Sequence, residues 1–162
     1  TKLALKLADH LNLNRKELED LHRAALLHDI GKLGISSAIL NKSGKLDDEE
    51  YHAMKTHPQI SVRILEPIEE YSAIIPIVSQ HHERFDGKGY PAGLSGNSIH
   101  FGARILAVAD VFDALISDRP YRDGMPLERV MKIIQEESGR QFDPVVVEAL
   151  VNTTYRKAPK AA

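Results

Sequence analysis

The sequence predicts a single all-α domain, and three observations carry that expectation. Apolar residues recur at steps of three and four along most of the chain, no run alternates apolar and polar as a strand would, and two segments open on paired N-capping residues. At 162 residues the chain is one domain's worth, long enough to bury a core without a covalent staple. No internal repeat, linker or low-complexity stretch divides it.

The opening "TKLALKLADHL" reads as helix interior, with Leu3, Leu7 and Leu11 four residues apart and no cap before them. The natural protein is therefore expected to continue upstream. Asn14 and Glu17 form a capping-box pair that opens a helix expected to carry "ELEDLHRAALLHDIGK". Within it Leu18, Leu21, Ala25, His28 and Lys32 fall on one stripe, with Asp29 beside it. Asp47 and Glu50 give the same signal for a helix running toward His57. Pro58 disfavours helical geometry at that histidine and puts it at a junction between two helices.

In "SAIIPIVSQHH", Ile74, Val78 and His81 share one stripe, and Ile75, Val78 and His82 share its neighbour. Both histidines thus continue an apolar face, and Pro76 belongs in a first turn or at a kink. The run "HHERFDGKGYP" is too rich in glycine for a core element and reads as a loop. "GARILAVADVFDALIS" is nearly uncharged and predicts a buried helix, with Ala103, Leu106, Asp110 and Asp113 on one line. "RPYRDG" ends it, Pro126 starts a helix to Gly139, and "FDPVVVEALV" forms the last helix. The domain is drawn at residues 1–152, with 153–162 a flexible tail.

Composition narrows the function. Apolar residues make up 43% and charged residues 27%, the balance of a soluble globular protein. The absence of cysteine excludes disulfides and thiolate metal sites and suits a cytoplasmic location. No stretch reaches the roughly 18 apolar residues of a membrane span, and no signal peptide opens the chain. A net charge of −2 argues against a DNA- or RNA-binding surface, so an anionic ligand must be drawn by a local cluster.

A buried carboxylate or imidazole costs several kcal/mol unless it is paired, hydrogen-bonded or bound to metal. His28, Asp29, His57, His81, His82 and Asp110 stand on or beside the apolar faces of four helices. Taken singly, each has a plainer explanation: a lone buried histidine is more often a hydrogen-bonded core residue than a ligand. Together, six nitrogen and oxygen donors without a thiolate fit one or two divalent ions such as Fe, Mn, Co, Ni or Zn.

"LLHDIGKLGI", "THPQIS", "HHERFDGKGYPAGLSG" and "ILAVADVFDALISDRPYR" resemble, in order and spacing, the HD-GYP branch of the HD phosphohydrolase superfamily. The similarity runs from about residue 3 to residue 150. It implies an HD-domain helical bundle of the HD-GYP type holding two or three divalent ions, iron or manganese foremost. It also implies hydrolysis of cyclic di-GMP to linear pGpG or to GMP in bacterial signalling. Carried over by position, the metal ligands are His28, Asp29, His57, His81, His82 and Asp110. Lys32 is the family's lysine after the HD pair and takes a catalytic role with Asp29. Gly89, Tyr90 and Pro91 form the GYP loop, and Arg119 and Arg122 are the phosphate-binding arginines. Asp113, on the same stripe as Asp110 and one turn further along, reads as supporting the ligands from behind.

The resemblance further implies a histidine upstream of residue 1, in some members with a nearby glutamate. His10 and His22 lie too close to the HD pair to replace it, and with His52 and His100 they read as surface or supporting residues. An upstream sensor or receiver domain, and diguanylate cyclase (GGDEF) proteins meeting the GYP loop, are the implied partners. Two ions bridged by Asp29 would lower the pKa of a shared water and present hydroxide to phosphorus. Lys32 would bind a phosphoryl oxygen or assist the leaving 3′-oxygen. The other readings are a silent cyclic-dinucleotide receptor or protein-interaction module, and a hydrolase of another phosphoester such as a hybrid cyclic dinucleotide. The plain alternative for Lys32 is a solvated helix-end charge, and for Arg119 and Arg122 a complement to the helix C-terminus.

Overall fold

In the computed structural model, residues 1–118 and 123–155 are described, and among them every regular element is helical. Helix α1 (Lys2–His10) buries Ala4, Leu7 and Ala8. Helix α2 (Arg15–Leu27) opens on the expected capping box: the Asn14 side chain accepts from Glu17 N, and the Glu17 carboxylate accepts from Asn14 N. A four-residue turn, α3 (Ser37–Leu40), leads to α4 (Asp48–Met54), where Asp47 and Glu50 form the second box. Helix α5 (His57–Leu65) follows with Pro58 in its first turn, so His57 does sit at a junction. Pro76 is likewise in the first turn of α6 (Ile75–Gln80).

Helix α7 (Phe101–Ile116) is the centre of the bundle, packed by α1, α2, α6, α8 (Leu127–Glu136) and α9 (Pro144–Tyr155). Gly102, Ala103, Ile105, Leu106, Val108 and Ala109 are buried along its first ten residues, with Phe101, Arg104, Ala107 and Asp110 partly buried between them. The core joins them to Leu7, Leu21, Ile77 and Leu150. No helix among the described residues is long and apolar enough to cross a membrane.

Two boundaries differ from the sequence expectation. The helix carrying "HDIGK" ends at Leu27, with His28 as its C-cap, and the chain tightens into a 3₁₀ turn over Ile30–Gly34. The cause is tertiary. A Cβ on Gly31 would stand 2.0 Å from the His57 carbonyl oxygen and 2.5 Å from Ser61 N, so only glycine lets this turn lie against α5. The second difference is at the C-terminus. Helix α9 runs through Thr153 to Tyr155, and Thr153 Oγ1 donates to the carbonyls of Ala149 and Leu150. Arg119, Pro120, Tyr121, Arg122 and residues 156–162 lie outside the described residues.

Candidate metal centre

Three helix ends build the site by the same local device. His28 caps α2, His57 follows the last turn of α4, and His81 caps α6. The last carbonyls of a helix lack intrahelical donors, and each ring turns back to the one three residues earlier. His28 Nδ1 lies 3.1 Å from Ala25 O, His57 Nδ1 2.7 Å from Met54 O, and His81 Nδ1 2.7 Å from Val78 O. A carbonyl only accepts, so each Nδ1 carries the proton and each Nε2 presents a lone pair.

The Nε2 atoms of His57 and His81 converge with that of His82. His57 Nε2 stands 3.5 Å from His81 Nε2 and 3.2 Å from His82 Nε2, and 3.3 Å from Asp29 Oδ1. Asp29, His57, His81 and His82 can each offer a donor atom with all four within 4.8 Å of one another. Two ligands each about 2.1 Å from one ion stand roughly 3.0–3.4 Å apart, close to these separations. His28 and Asp110 adjoin the group on its other side: His28 Nε2 is 3.5 Å from Asp29 Oδ2 and 3.9 Å from Asp110 Oδ1. Asp29 therefore turns one oxygen toward His57 and the other toward His28. His28 Nε2 is buried without a hydrogen-bond partner, an orphan that a cation would satisfy. The donor set fits a divalent ion.

The electrostatics agree. Burial lowers the pKa of His57, lowers that of His81 well below the ordinary 6.5, and brings His82 down to about 3; neighbouring imidazoles add to the last two shifts. All three are neutral and ready to ligate. Burial pushes the Asp29 carboxyl up, but the Lys32 hydrogen bond and the surrounding charges outweigh it and hold Asp29 below its usual value. Lys32 Nζ donates to Asp29 Oδ2 at 2.7 Å.

These shifts set an acid limit on the metal-free fold. The unfolded chain binds protons on these rings near pH 6.5, whereas the folded chain binds them only at lower pH. Their contribution is complete above about 6.5 and is lost as pH falls toward the folded values. The urea midpoint of chelator-treated protein should be lower near pH 5 than near pH 7.5; a midpoint that rises on acidification would contradict a neutral histidine trio.

The loop after His82 closes over the centre. Tyr90 stacks on His82 with centroids 4.9 Å apart, and Tyr90 N donates to His82 O. The Tyr90–Pro91 peptide is cis. A Cβ on Gly89 would fall 2.3 Å from Arg84 N and 2.5 Å from Glu83 Cα, so the loop rests directly on the Glu83–Arg84 backbone. Burial raises the Tyr90 hydroxyl pKa, helped by nearby Tyr51, Asp29 and Asp110. His81, His82, Tyr90 and Asp110 share a cavity of about 290 Å³ with Tyr51 and Lys55.

Asp113 projects elsewhere. Its side chain is 52% exposed and lines a groove with Lys2, Lys6 and Asn152. His10, His22, His52 and His100 are exposed.

Several supporting residues had no assigned part in the sequence reading. Glu83 is buried, and its carboxylate accepts from Ala92 N at 2.7 Å and Leu94 N at 3.1 Å, pinning the far side of the GYP loop. Ser61 accepts from Gly31 N at 2.8 Å and donates to His28 O at 2.9 Å, locking the HD turn to α5. The sequence signal for the break was Gly31 itself, a poor helix former three residues after His28. Gly31→Ala should lower stability by about 1–3 kcal/mol, the usual cost of overpacking, and reduce metal content with it. An unchanged urea midpoint would show that the turn can move away from α5.

A family model described as HD domain matches residues 1–146, and the chain belongs to that family. The chain is 45% identical over 130 residues to the 3′3′-cGAMP-specific phosphodiesterase 3 of Vibrio cholerae serotype O1, covering 80% of this chain and 28% of that protein. It is 43% identical over 148 residues to the cyclic di-GMP phosphodiesterase response regulator RpfG of Xanthomonas campestris, covering 89% and 39%. The chain thus spans well under half the length of these relatives. The HDG"Y"P protein Bd1817 of Bdellovibrio bacteriovorus shares the fold, with a TM-score of 0.73 at 23% identity over 93% of this chain and 48% of that one.

Proposed function

We propose that this domain is a metal-dependent phosphodiesterase that hydrolyses cyclic di-GMP to linear pGpG or GMP. The observation that carries the reading is the convergence of donor atoms from Asp29, His57, His81 and His82 within 4.8 Å of one another, with His28 beside the second oxygen of Asp29 and Asp110 beside His28. His57, His81, His82 and Asp29 would hold one ion, and His28, Asp29 and Asp110 a second. Divalent ions there supply charge neutralisation on the phosphoryl group and activation of water.

The chain's own residues do the rest. Asp29 holds the two donor sets in fixed relation, and the helix-end carbonyls keep each ring in its ligating tautomer. Lys32, on the outer oxygen of Asp29, is a donor in reach of a phosphoryl or leaving oxygen. Tyr90 covers His82 and keeps bulk water from that side. Arg119 and Arg122 are proposed to take the second phosphate. Iron or manganese as the resident metal, a cytoplasmic site of action, GGDEF proteins at the GYP loop and a regulatory domain upstream belong to the same proposal.

The relative named for 3′3′-cGAMP supports a second reading, in which the hybrid dinucleotide is the substrate. The test is metal analysis of purified protein, then product chromatography after incubation of each dinucleotide with Mn²⁺ or Fe²⁺. Metal-loaded protein that cleaves neither would leave a binding domain in place of an enzyme.

A further inference from the structure

We propose that Tyr51 and Lys55 form a guanine-recognising subsite in the wall of the cavity, an inference that rests on the cyclic-dinucleotide reading above. Lys55 caps α4, two residues ahead of His57. Its Nζ stands over two phenol rings, 4.8 Å from the centroid of Tyr51 and 5.4 Å from that of Tyr90. Among the described residues no carboxylate pairs with it. Of the acidic residues around the start of α4, Asp47 and Glu50 close the capping box and both reach Lys42. A cation resting on aromatic faces without a counter-anion is free to be recruited by a better acceptor.

The position selects the ligand group. Tyr90 stacks on His82, so Lys55 is one ring removed from the metal cluster. A nucleotide with its phosphate at the cluster places a ribose next and its base beyond, at that remove. Tyr51 is 49% exposed and lines the cavity shared with His82 and Asp110, so a flat ring is available for stacking. Every base stacks on a phenol, but guanine offers N7 and O6 side by side as acceptors for an ammonium, whereas adenine sets an amino donor beside N7. A phosphate contact would use Lys55 and leave Tyr51 without a role. The aromatic–cation pair fits the base.

The experiment measures KM in the manganese-loaded chain and Kd by calorimetry in the chelator-treated chain, for cyclic di-GMP and cyclic di-AMP. Lys55→Ala should weaken cyclic di-GMP roughly tenfold or more and change cyclic di-AMP by less than about threefold. Tyr51→Ala should weaken both roughly tenfold, since stacking ignores base identity. Lys55→Arg should keep most of the guanine preference. Thermal midpoints of all variants should match the parent. Parent-like affinity of Lys55→Ala for cyclic di-GMP overturns the subsite. Equal loss on both dinucleotides shows that Nζ reads phosphate and overturns the base assignment. A parent chain that neither binds nor cleaves any cyclic dinucleotide defeats the phosphodiesterase reading itself, and the subsite with it.

Discussion

Asp29→Ala should strip the centre of metal and reduce hydrolysis by more than about a hundredfold, because loss of even an outer-shell partner costs 10–100-fold and Asp29 faces both donor sets. One of its oxygens stands 3.3 Å from His57 Nε2 and the other 3.5 Å from His28 Nε2. Removing the carboxylate therefore separates the two groups and also leaves Lys32 without its partner at 2.7 Å. Asp113→Asn is the control: exposed and outside the donor group, it should retain metal and change turnover by less than about threefold. Metal analysis and initial rates on both variants decide the matter. Full metal content in Asp29→Ala would remove it from the ligand set.

The second large effect is on stability. The converging donors come from α2, α4–α5 and α6, elements far apart in sequence, so no equivalent site exists in the unfolded chain. An ion that binds only the folded state at a hundred times its Kd adds about 2.7 kcal/mol. For a domain of this size that corresponds to a rise in Tm of roughly 5–10 °C. Chelation should lower the melting temperature by that amount, and Mn²⁺ or Fe²⁺ should restore it. Identical melting curves before and after verified metal removal would show that the histidine cluster holds no ion.

Much of this was legible in the sequence where the cause is local. Both capping boxes, the His57 junction set by Pro58, and the first-turn place of Pro76 follow from residues a few positions apart. The ends of elements were less legible. The break after His28 depends on Gly31 meeting α5, about 30 residues downstream, and helix periodicity carries no trace of that contact. Four of the six expected donors form one tight group, and the sequence could not divide them from His28 and Asp110, because the division depends on which Asp29 oxygen faces which ring. Glu83 and Lys55 escaped notice for the same reason. One ties off backbone amides nine and eleven residues on, and the other lies on a ring 35 positions away.

The identical offset by which His28, His57 and His81 each reach back three residues has a consequence for how this centre tolerates change. Which nitrogen a ring offers is settled inside a single turn of chain, without help from the rest of the bundle. Drift in the core can therefore alter how far apart the three helix ends stand, and so which ion suits the gap. It does not alter the face each imidazole presents. Aim and spacing are inherited separately, so the choice of metal can shift by repacking while the ligands themselves stay as they are.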